Sequence, residues 1–378
     1  MADLLTPPAN EIEEFDPRSV IEEPLWRVRL RLGWRAFRKN WALFSENKMG
    51  IAGLLIIALF GIMALAHPVL MATVWQDHLE GGKSVYDIRA GADSVIVEKT
   101  IVEEVTDPLT QISQIEAMFM GTGVSIPQFG DTIEVPLANP APPVLTGVKH
   151  PHILGTDPFG ADVFSQLLFG ARAAFLLGAI AAISSVALAT LVGTISAYFG
   201  GVIDTVLMRL ADLVILIPLL PLLIVVSGFW NVELTMLGIL IGVLGGLGGT
   251  AIILKSQALS VKVKPFIDAA RIAGGGHWRI ITRHIIPNVL PLSFLYMMFA
   301  VTGAIFTEAA LSFLGLLNIQ QSWGIMINIA HTQGYTLEGV DVWWLMFPAG
   351  LSITLFSAGF FLVGRAMDEV VNPRLRKR

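Results

Sequence analysis

The side chains best placed for specific recognition lie in Phe266–Pro291, FIDAARIAGGGHWRIITRHIIPNVLP, a polar, basic and glycine-punctuated stretch between two long apolar runs. Pro265 suits the first turn of a helix. Asp268 falls in that turn, where the helix dipole favours an anion. Ala269, Ala270 and Ala273 offer a smooth surface that another protein can approach closely. Gly274–Gly276 should end the helix through a left-handed glycine. A second short basic helix is expected over His277–His284, and Pro287 opens the next apolar run. The spacing thus predicts a helix–turn–helix whose Phe266, Ile267 and Ile272 would be costly to expose without a partner.

Other chemistry-bearing residues are sparse. There is no cysteine, which excludes disulfides, thiolate metal sites and cysteine nucleophiles. Gly82-Lys83-Ser84 suggests a phosphate loop, but the position that needs its first glycine is Asp77. No complete nucleotide motif, Ser–His–Asp arrangement or zinc pattern stands out, so any ATP hydrolysis must occur on another chain. His150, His152, Asp157 and Asp162 carry metal-ligating atoms, yet lack helical or tight-turn spacing, and no metal is expected. Asp157-Pro158 can start a helix, with Asp at the N-cap and Pro at N1. Phe159, Val163, Phe164, Leu167 and Leu168 would then form its apolar stripe. Asp157 and Asp162 are candidates for contact with a delivery protein, and the alternative is a structural lead-in to the next apolar run. Glu308 lies inside an apolar run, where carboxylates are often functional. It either lines a path or pairs with an arginine. Asp204, Arg209 and Asp212 read as a structural ion-pair cluster, with a gate as the alternative.

These residues must be positioned in a bilayer. Of 378 residues, 54% are hydrophobic and only 15% charged, and mean hydropathy is +0.68; a soluble chain carries about a quarter charged residues. Six apolar runs can span the roughly 30 Å hydrocarbon core. They lie near Met49–Trp75, Ala171–Phe199, Val206–Phe229, Leu234–Leu254, Val289–Leu314 and Trp343–Arg365. The expected fold is therefore an all-α polytopic membrane protein with six transmembrane helices. The first run is too long for a signal-peptide core and should stay as an anchor.

Basic residues orient it. Arg27, Arg29, Arg31, Arg35, Arg38, Lys39 and Lys48 precede the first run. Lys255, Lys262, Lys264, Arg271, Arg279 and Arg283 follow the fourth, and Arg374, Arg376, Lys377 and Arg378 end the chain. The acidic segment 76–170 lies on the other side. The positive-inside rule makes both termini cytoplasmic. The expected organisation is a cytoplasmic tail (1–48), a first span (49–75), an extracytoplasmic segment (76–170), a five-helix core (171–366) holding a cytoplasmic loop (255–287), and a final tail (367–378). The acidic start of the chain reads as disordered. Leu25–Lys39 is either a basic amphipathic helix on membrane lipid or a plain topogenic flank. Ser94–Val105 and Asp131–Val135 read as strands of a small, β-rich extracytoplasmic insertion, ending in a stiff linker, Asn139–Pro143.

The spacing Asp268-Ala269-Ala270, three residues, Gly274, nine residues, His284-Ile285-Ile286-Pro287 resembles the Glu-Ala-Ala…Gly…Ile-x-Leu-Pro segment of ABC importer permeases. Here Asp stands for Glu and His for Ile. HILGTDPFGADVFSQLLFGAR (His152–Arg172), YFGGVIDTVLMRLAD (Tyr198–Asp212), EAALSFLG (Glu308–Gly315), Trp323-Gly324 and Trp343-Trp344 are similar, in order, to the dipeptide/oligopeptide and nickel branch, and to the second of its two permeases. Departures are Gly160-Ala161-Asp162 where Gly-Arg-Asp is usual, Gly364-Arg365 where Gly-Asp is usual, no proline pair after Leu316, and a longer 77–139 segment.

The resemblance implies a pore subunit of an ATP-driven importer in a prokaryotic cytoplasmic membrane. It further implies a homologous second permease, two cytoplasmic ATPases and an extracytoplasmic binding protein, with ATP and Mg held on the ATPases. No cofactor and no nucleic acid are expected on this chain. By the same resemblance Phe266, Asp268, Ala269, Ala270, Arg271, Gly274 and Pro287 belong to the segment that couples to the ATPase. The competing reading is a self-contained secondary transporter or channel, which calls for intramembrane ionisable groups or a repeat with broken helices. The spans are poor in charge, and no internal duplication is visible. A scaffold for a membrane enzyme is a third reading.

Overall fold

A computed structural model describes residues 44–76 and 151–371 throughout. It also describes residues 31, 34, 38, 41 and 42, and the short stretches 79–80, 83–84, 86–87, 95–100, 132–137 and 139–143. Among the described residues the helices are α1 (Lys48–Ala72), α2 (Val163–Phe199), α3 (Gly201–Leu216), α4 (Leu219–Phe229), α5 (Leu234–Leu247), α6 (Gly249–Lys262), α7 (Pro265–Ile272), α8 (His277–Ile280), α9 (Ile286–Phe313), α10 (Trp323–Thr332) and α11 (Trp343–Val371). Four continuous helical stretches are long and apolar enough to cross a bilayer: Lys48–Ala72, Val163–Phe199, His277–Phe313 and Gly339–Glu369. The pairs α3–α4 and α5–α6 reach that length only together, bent by 81° and 47°.

The two bends fall within the expected spans Val206–Phe229 and Leu234–Leu254. The first lies at Ile217-Pro218, where Ile217 is extended (φ −80°, ψ 118°). The ring of Pro218 disfavours helical geometry in the residue before it. The second lies at Gly248, and α6 then continues to Lys262. Lys255 and Lys262 are thus helical, and the non-helical connection begins at Val263 rather than at residue 255. A further correction concerns α2, which starts at Val163 instead of Ala171. The apolar stripe over Val163–Leu168 is continuous with the span, with no separate interfacial helix.

Helix α2 is central, packing on α5, α6, α9 and α1. Apolar side chains gain little by leaving lipid for protein, so helices associate by close packing, and small residues allow it. Gly238, Gly242 and Gly246 recur every fourth residue along one face of α5. A Cβ at Gly246 would lie 2.5 Å from the Ser185 carbonyl oxygen of α2, and one at Gly242 would lie 2.8 Å from that of Ala181. Gly193 on α2 repeats the pattern against α6, 2.8 Å from the Ala251 carbonyl. At one end of the bundle aromatic rings fill the core. Phe60 and Phe175 meet Phe356 edge-on at 5.3 and 4.9 Å, and Phe60 meets Trp323 at 5.3 Å.

Trp323 begins α10, a helix that the apolar runs did not announce. Ser322 caps it by accepting from the Ile325 amide, and Trp323 Nε1 donates to the Leu167 carbonyl at 3.0 Å. The expected β-rich insertion is present in outline. The strand Val95–Thr100 pairs antiparallel with Thr132–Leu137, and Leu79–Glu80 pairs with Lys83–Ser84. Asn139–Pro143 is a docked strap rather than a stiff spacer. Thr156 Oγ1 donates to Asn139 Oδ1 and accepts from the Ala141 amide, and the Thr156 amide returns a bond to the Ala141 carbonyl. The proposed helix Leu25–Lys39 lies largely outside the described residues, although Arg31, Trp34 and Arg38 are helical.

The glycine seam makes a direct prediction. Gly246→Val should cost about 1–3 kcal/mol or more through overpacking, read as a lower unfolding temperature of the purified protein in detergent. Gly228→Val, where nothing lies within 4 Å of the added Cβ, should change it little. Equal effects would mean that α5 does not approach α2 this closely.

Candidate functional site

Helix α7 starts because Pro265, at N1, has no amide to leave unpaired, and the preceding Lys264 is extended. Asp268 in the first turn and Arg271 in the last complement the helix dipole. They also pair with each other at 2.9 Å, an exposed contact worth about 0–1 kcal/mol. The helix stops in a double-bonded cap. The Gly274 amide donates to the Arg271 carbonyl and the Gly275 amide to that of Ala270, with Gly274 left-handed at φ +78°. This is the glycine stop that the sequence implied. A chain this short is not a stable helix in isolation, so packing must hold it.

That packing centres on Ile267, which is 0% exposed. It joins Ile280, Ile281, Ile285 and Val289 from the following segment, Ala251, Leu254, Ala258 and Val261 from α6, and Ala189, Val192 and Ala197 from α2. Ile267 had been expected on the open surface. The fold instead turns it inward, because Ile267 and Ala270 lie one turn apart on the face that meets the bundle. The opposite face stays open, with Ile272 88% and Phe266 41% exposed, and Trp278 of α8 is 59% exposed. Asp268, Ala269, Arg271 and Gly274 are exposed beside them, Ala270 is half-buried, and Pro287 is exposed in the first turn of α9.

The second expected helix, His277–His284, is not separate. Helix α8 passes through a π-helical turn, Ile281–Ile285, directly into α9. The segment after the glycine break is therefore the end of a continuous rod, His277–Phe313.

Polar contacts fasten the segment to the end of α2. Tyr198 Oη and His277 Nδ1 share a hydrogen bond of 2.8 Å, and the Arg271 guanidinium lies 5.7 Å from the Tyr198 ring centroid. Lys262 Nζ donates to the Ala197 carbonyl at 2.9 Å, in the last turn of α2, where a cation meets the negative end of the dipole. Asp204 accepts from both Lys255 and Ser196, fixing the α2–α3 turn to α6. Asp204 is thus separate from the exposed Arg209–Asp212 pair at 3.5 Å. Residue spacing pointed to the Arg209–Asp212 pair but to none of the other bonds; Tyr198 and His277 are 79 positions apart.

The remaining candidates lie far from this cluster. Glu308 is 21 residues along α9 from Pro287, roughly 32 Å at helical rise. It is buried and accepts from Ser312 Oγ at 2.6 Å, while Ser322 Oγ reaches Ser312 Oγ at 3.4 Å. No arginine pairs with it among the described residues.

Asp157 and Asp162 are buried in the loop before α2. Asp162, rather than Asp157, is the N-cap, accepting from the Ser165 amide at 2.6 Å and contacting His152 Nδ1 at 2.8 Å. Asp157 instead closes the turn Pro158–Gly160. It accepts from the Phe159 and Ala161 amides and from Gln166 Nε2 at 2.9, 2.8 and 2.7 Å. Burial pushes its carboxyl pKa up, against the pull of these three hydrogen bonds. Both carboxylates are engaged internally, as a structural lead-in requires.

Residues 189–377 match the family of binding-protein-dependent transport system inner membrane components, a region that takes in all of α7 and α8. The chain is 33% identical over 264 residues to the oligopeptide transport system permease protein OppC of Escherichia coli K12, covering 69% of this chain and 84% of that protein. It is 35% identical over 228 residues to OppC of Haemophilus influenzae, covering 60% and 71%. It is 31% identical over 229 residues to the dipeptide transport system permease protein DppC of Bacillus subtilis, covering 60% and 70%.

Two isoleucines of α7 should separate anchoring from display. Ile267→Ala empties a fully buried site and should cost about 2–5 kcal/mol. Ile272→Ala should stay within about 0.5 kcal/mol. Thermal unfolding of the purified chain measures both, and comparable losses would refute the inward orientation of Ile267.

Proposed function

The chain belongs to the binding-protein-dependent transport system inner membrane components, and from that membership we propose that α7 is the point where ATP hydrolysis on a partner enters this subunit. The protein is a multi-pass transmembrane pore subunit of an ABC importer of the peptide-transport type. It works within a multi-subunit complex. The partners in this reading are a homologous second permease, two cytoplasmic ATPases that hold ATP and Mg, and an extracytoplasmic binding protein. Both termini and α7 face the cytoplasm, a placement supported by the basic residues that flank the spans.

One observation carries the proposal: α7 has two faces with opposite duties. Ile267 ties it to α6, α2 and the root of α9, while Phe266 and Ile272 are left open beside Trp278 of α8. Three large apolar side chains in water next to an ion pair form a surface suited to a protein groove. When the ATPases close, α7 moves with them. Its buried anchor passes the displacement to the end of α2 through Tyr198 and His277. The continuous rod α8–α9 carries the same displacement through the membrane. Packed helices transmit such shifts because close-packed interiors resist compression.

The glycine cap serves the same end. Gly274 lets the chain reverse within three residues, so that α7 and α8 present one compact surface.

Two exposed substitutions test the assignment. Ile272→Glu and Gly274→Pro should each cut peptide uptake at least tenfold and weaken co-purification of the ATPases in mild detergent. Membrane insertion and the amount of permease should stay near wild type. Normal uptake together with normal ATPase recovery in both variants would remove α7 from the coupling role.

A further inference from the structure

At the opposite end of α2 from Tyr198 lies a cavity of about 880 Å³, within the range of about 300–1,000 Å³ of small-molecule sites. It is bounded by the first turns of α2, the start of α5 and the segment Asn318–Gln321. Two of its lining residues carry opposite charge. Arg172 is the sole charged residue in the whole of Val163–Phe199, and a charge retained in so apolar a helix calls for a role. Glu233 occupies the N-cap of α5, where a carboxylate would ordinarily accept from the helix amides, yet its side chain makes no capping bond. Neither residue forms an ion pair among the described residues. Arg172 rests against the Phe169 ring, 5.8 Å from its centroid.

The walls are held from outside. The Asn318 amide donates to the Val232 carbonyl at 3.3 Å, next to Glu233. Gln321 Nε2 donates to Gln166 Oε1, and Gln166 Nε2 donates on to Asp157 at 2.7 Å. The buried carboxylate of Asp157 is thus the root of a chain that fixes one side of the cavity. The side chains of Asn318 and Gln320 add amide donors and acceptors to the lining, the groups that pair with peptide bonds.

We infer that this cavity is a peptide subsite in which Arg172 takes the terminal carboxylate and Glu233 the terminal ammonium of a short zwitterionic peptide. This rests on the reading of the chain as a peptide-importer pore and adds how the pore itself discriminates. A guanidinium binds a carboxylate in a bidentate fork. A carboxylate free of its own helix can accept from an ammonium. Amide groups between them serve a backbone of any side-chain sequence, so the subsite reads the two ends of a peptide and ignores its side chains.

The test uses the complete transporter in nanodiscs, without its binding protein, titrated calorimetrically with trialanine, trialanine amide and N-acetyl-trialanine. Wild type should bind trialanine about tenfold or more tightly than either capped form, the size expected for losing one charge-assisted bond. Arg172→Gln should erase the preference over the amide while keeping that over the acetylated form. Glu233→Gln should do the reverse, and Arg172→Lys should restore part of the loss. Equal binding of all three peptides, no binding, or unchanged ratios in the variants would overturn the subsite. Trialanine uptake by vesicles holding the transporter and its binding protein separates the two levels. Uptake with unselective binding sinks the subsite alone, and failure to import any peptide sinks the importer reading together with it.

Discussion

The close approach of α5 and α6 to α2 is the contact on which the other features rest. Backbone meets backbone at Gly242, Gly246 and Gly193, where an added Cβ would lie 2.5–2.8 Å from a carbonyl oxygen of the neighbouring helix. Within a bilayer such contacts supply dispersion energy that large side chains, already solvated by lipid, cannot. They hold a helix of 37 residues, some 55 Å at 1.5 Å per residue, as one rigid strut. Its two ends carry different chemistry. The Tyr198 end receives α7 and α8, and the Arg172 end borders a cavity.

Around this strut, the charged networks lie toward the ends, as the low dielectric of the hydrocarbon demands. Asp162 with His152, and Asp157 with Gln166, form two satisfied pairs at the start of α2. Lys255, Lys262 and Asp204 form another group at the far end. Within the span, Glu308 is kept with Ser312 and Ser322 rather than with a charge. Each network fixes a turn that would otherwise be free, so the membrane ends are as well defined as the middle. The bends at Ile217-Pro218 and Gly248 lie side by side, with a Cβ at Gly248 only 3.6 Å from Ile215. The two broken helices follow one another around the same corner.

Much of this was legible in the residues. Hydropathy located the apolar segments, since roughly twenty consecutive apolar residues have few other uses. The alternation in Ser94–Val105 and Asp131–Val135 marked two strands that do pair. Pro265, Asp268 and Gly274 marked the start, the first turn and the stop of α7, because each acts on its own backbone. What was missed depended on partners. The Asp157-Pro158 pair that suggested an N-cap closes a turn instead, and the cap fell to Asp162 through the Ser165 amide. Ile267 looked exposed because its covering residues come from α2, α6 and α9. Helix α10 is too short to register as a span, and only its burial against Leu167 reveals its place.

By itself, then, the sequence determined an all-α membrane chain, a polar interruption with its own start and stop, and membership of a permease family. The first two follow from local composition and spacing, which act over one or two helical turns, and the third from the resemblance of its motifs to those of the family. The tertiary structure decided which face of α7 is anchor and which is display, and that α8 runs unbroken into α9. It also decided that two of the expected spans are bent, and that Arg172 and Glu233 border one cavity. Those outcomes depend on side chains far apart in the chain meeting across helix interfaces, where packing selects among arrangements that local propensity leaves equal.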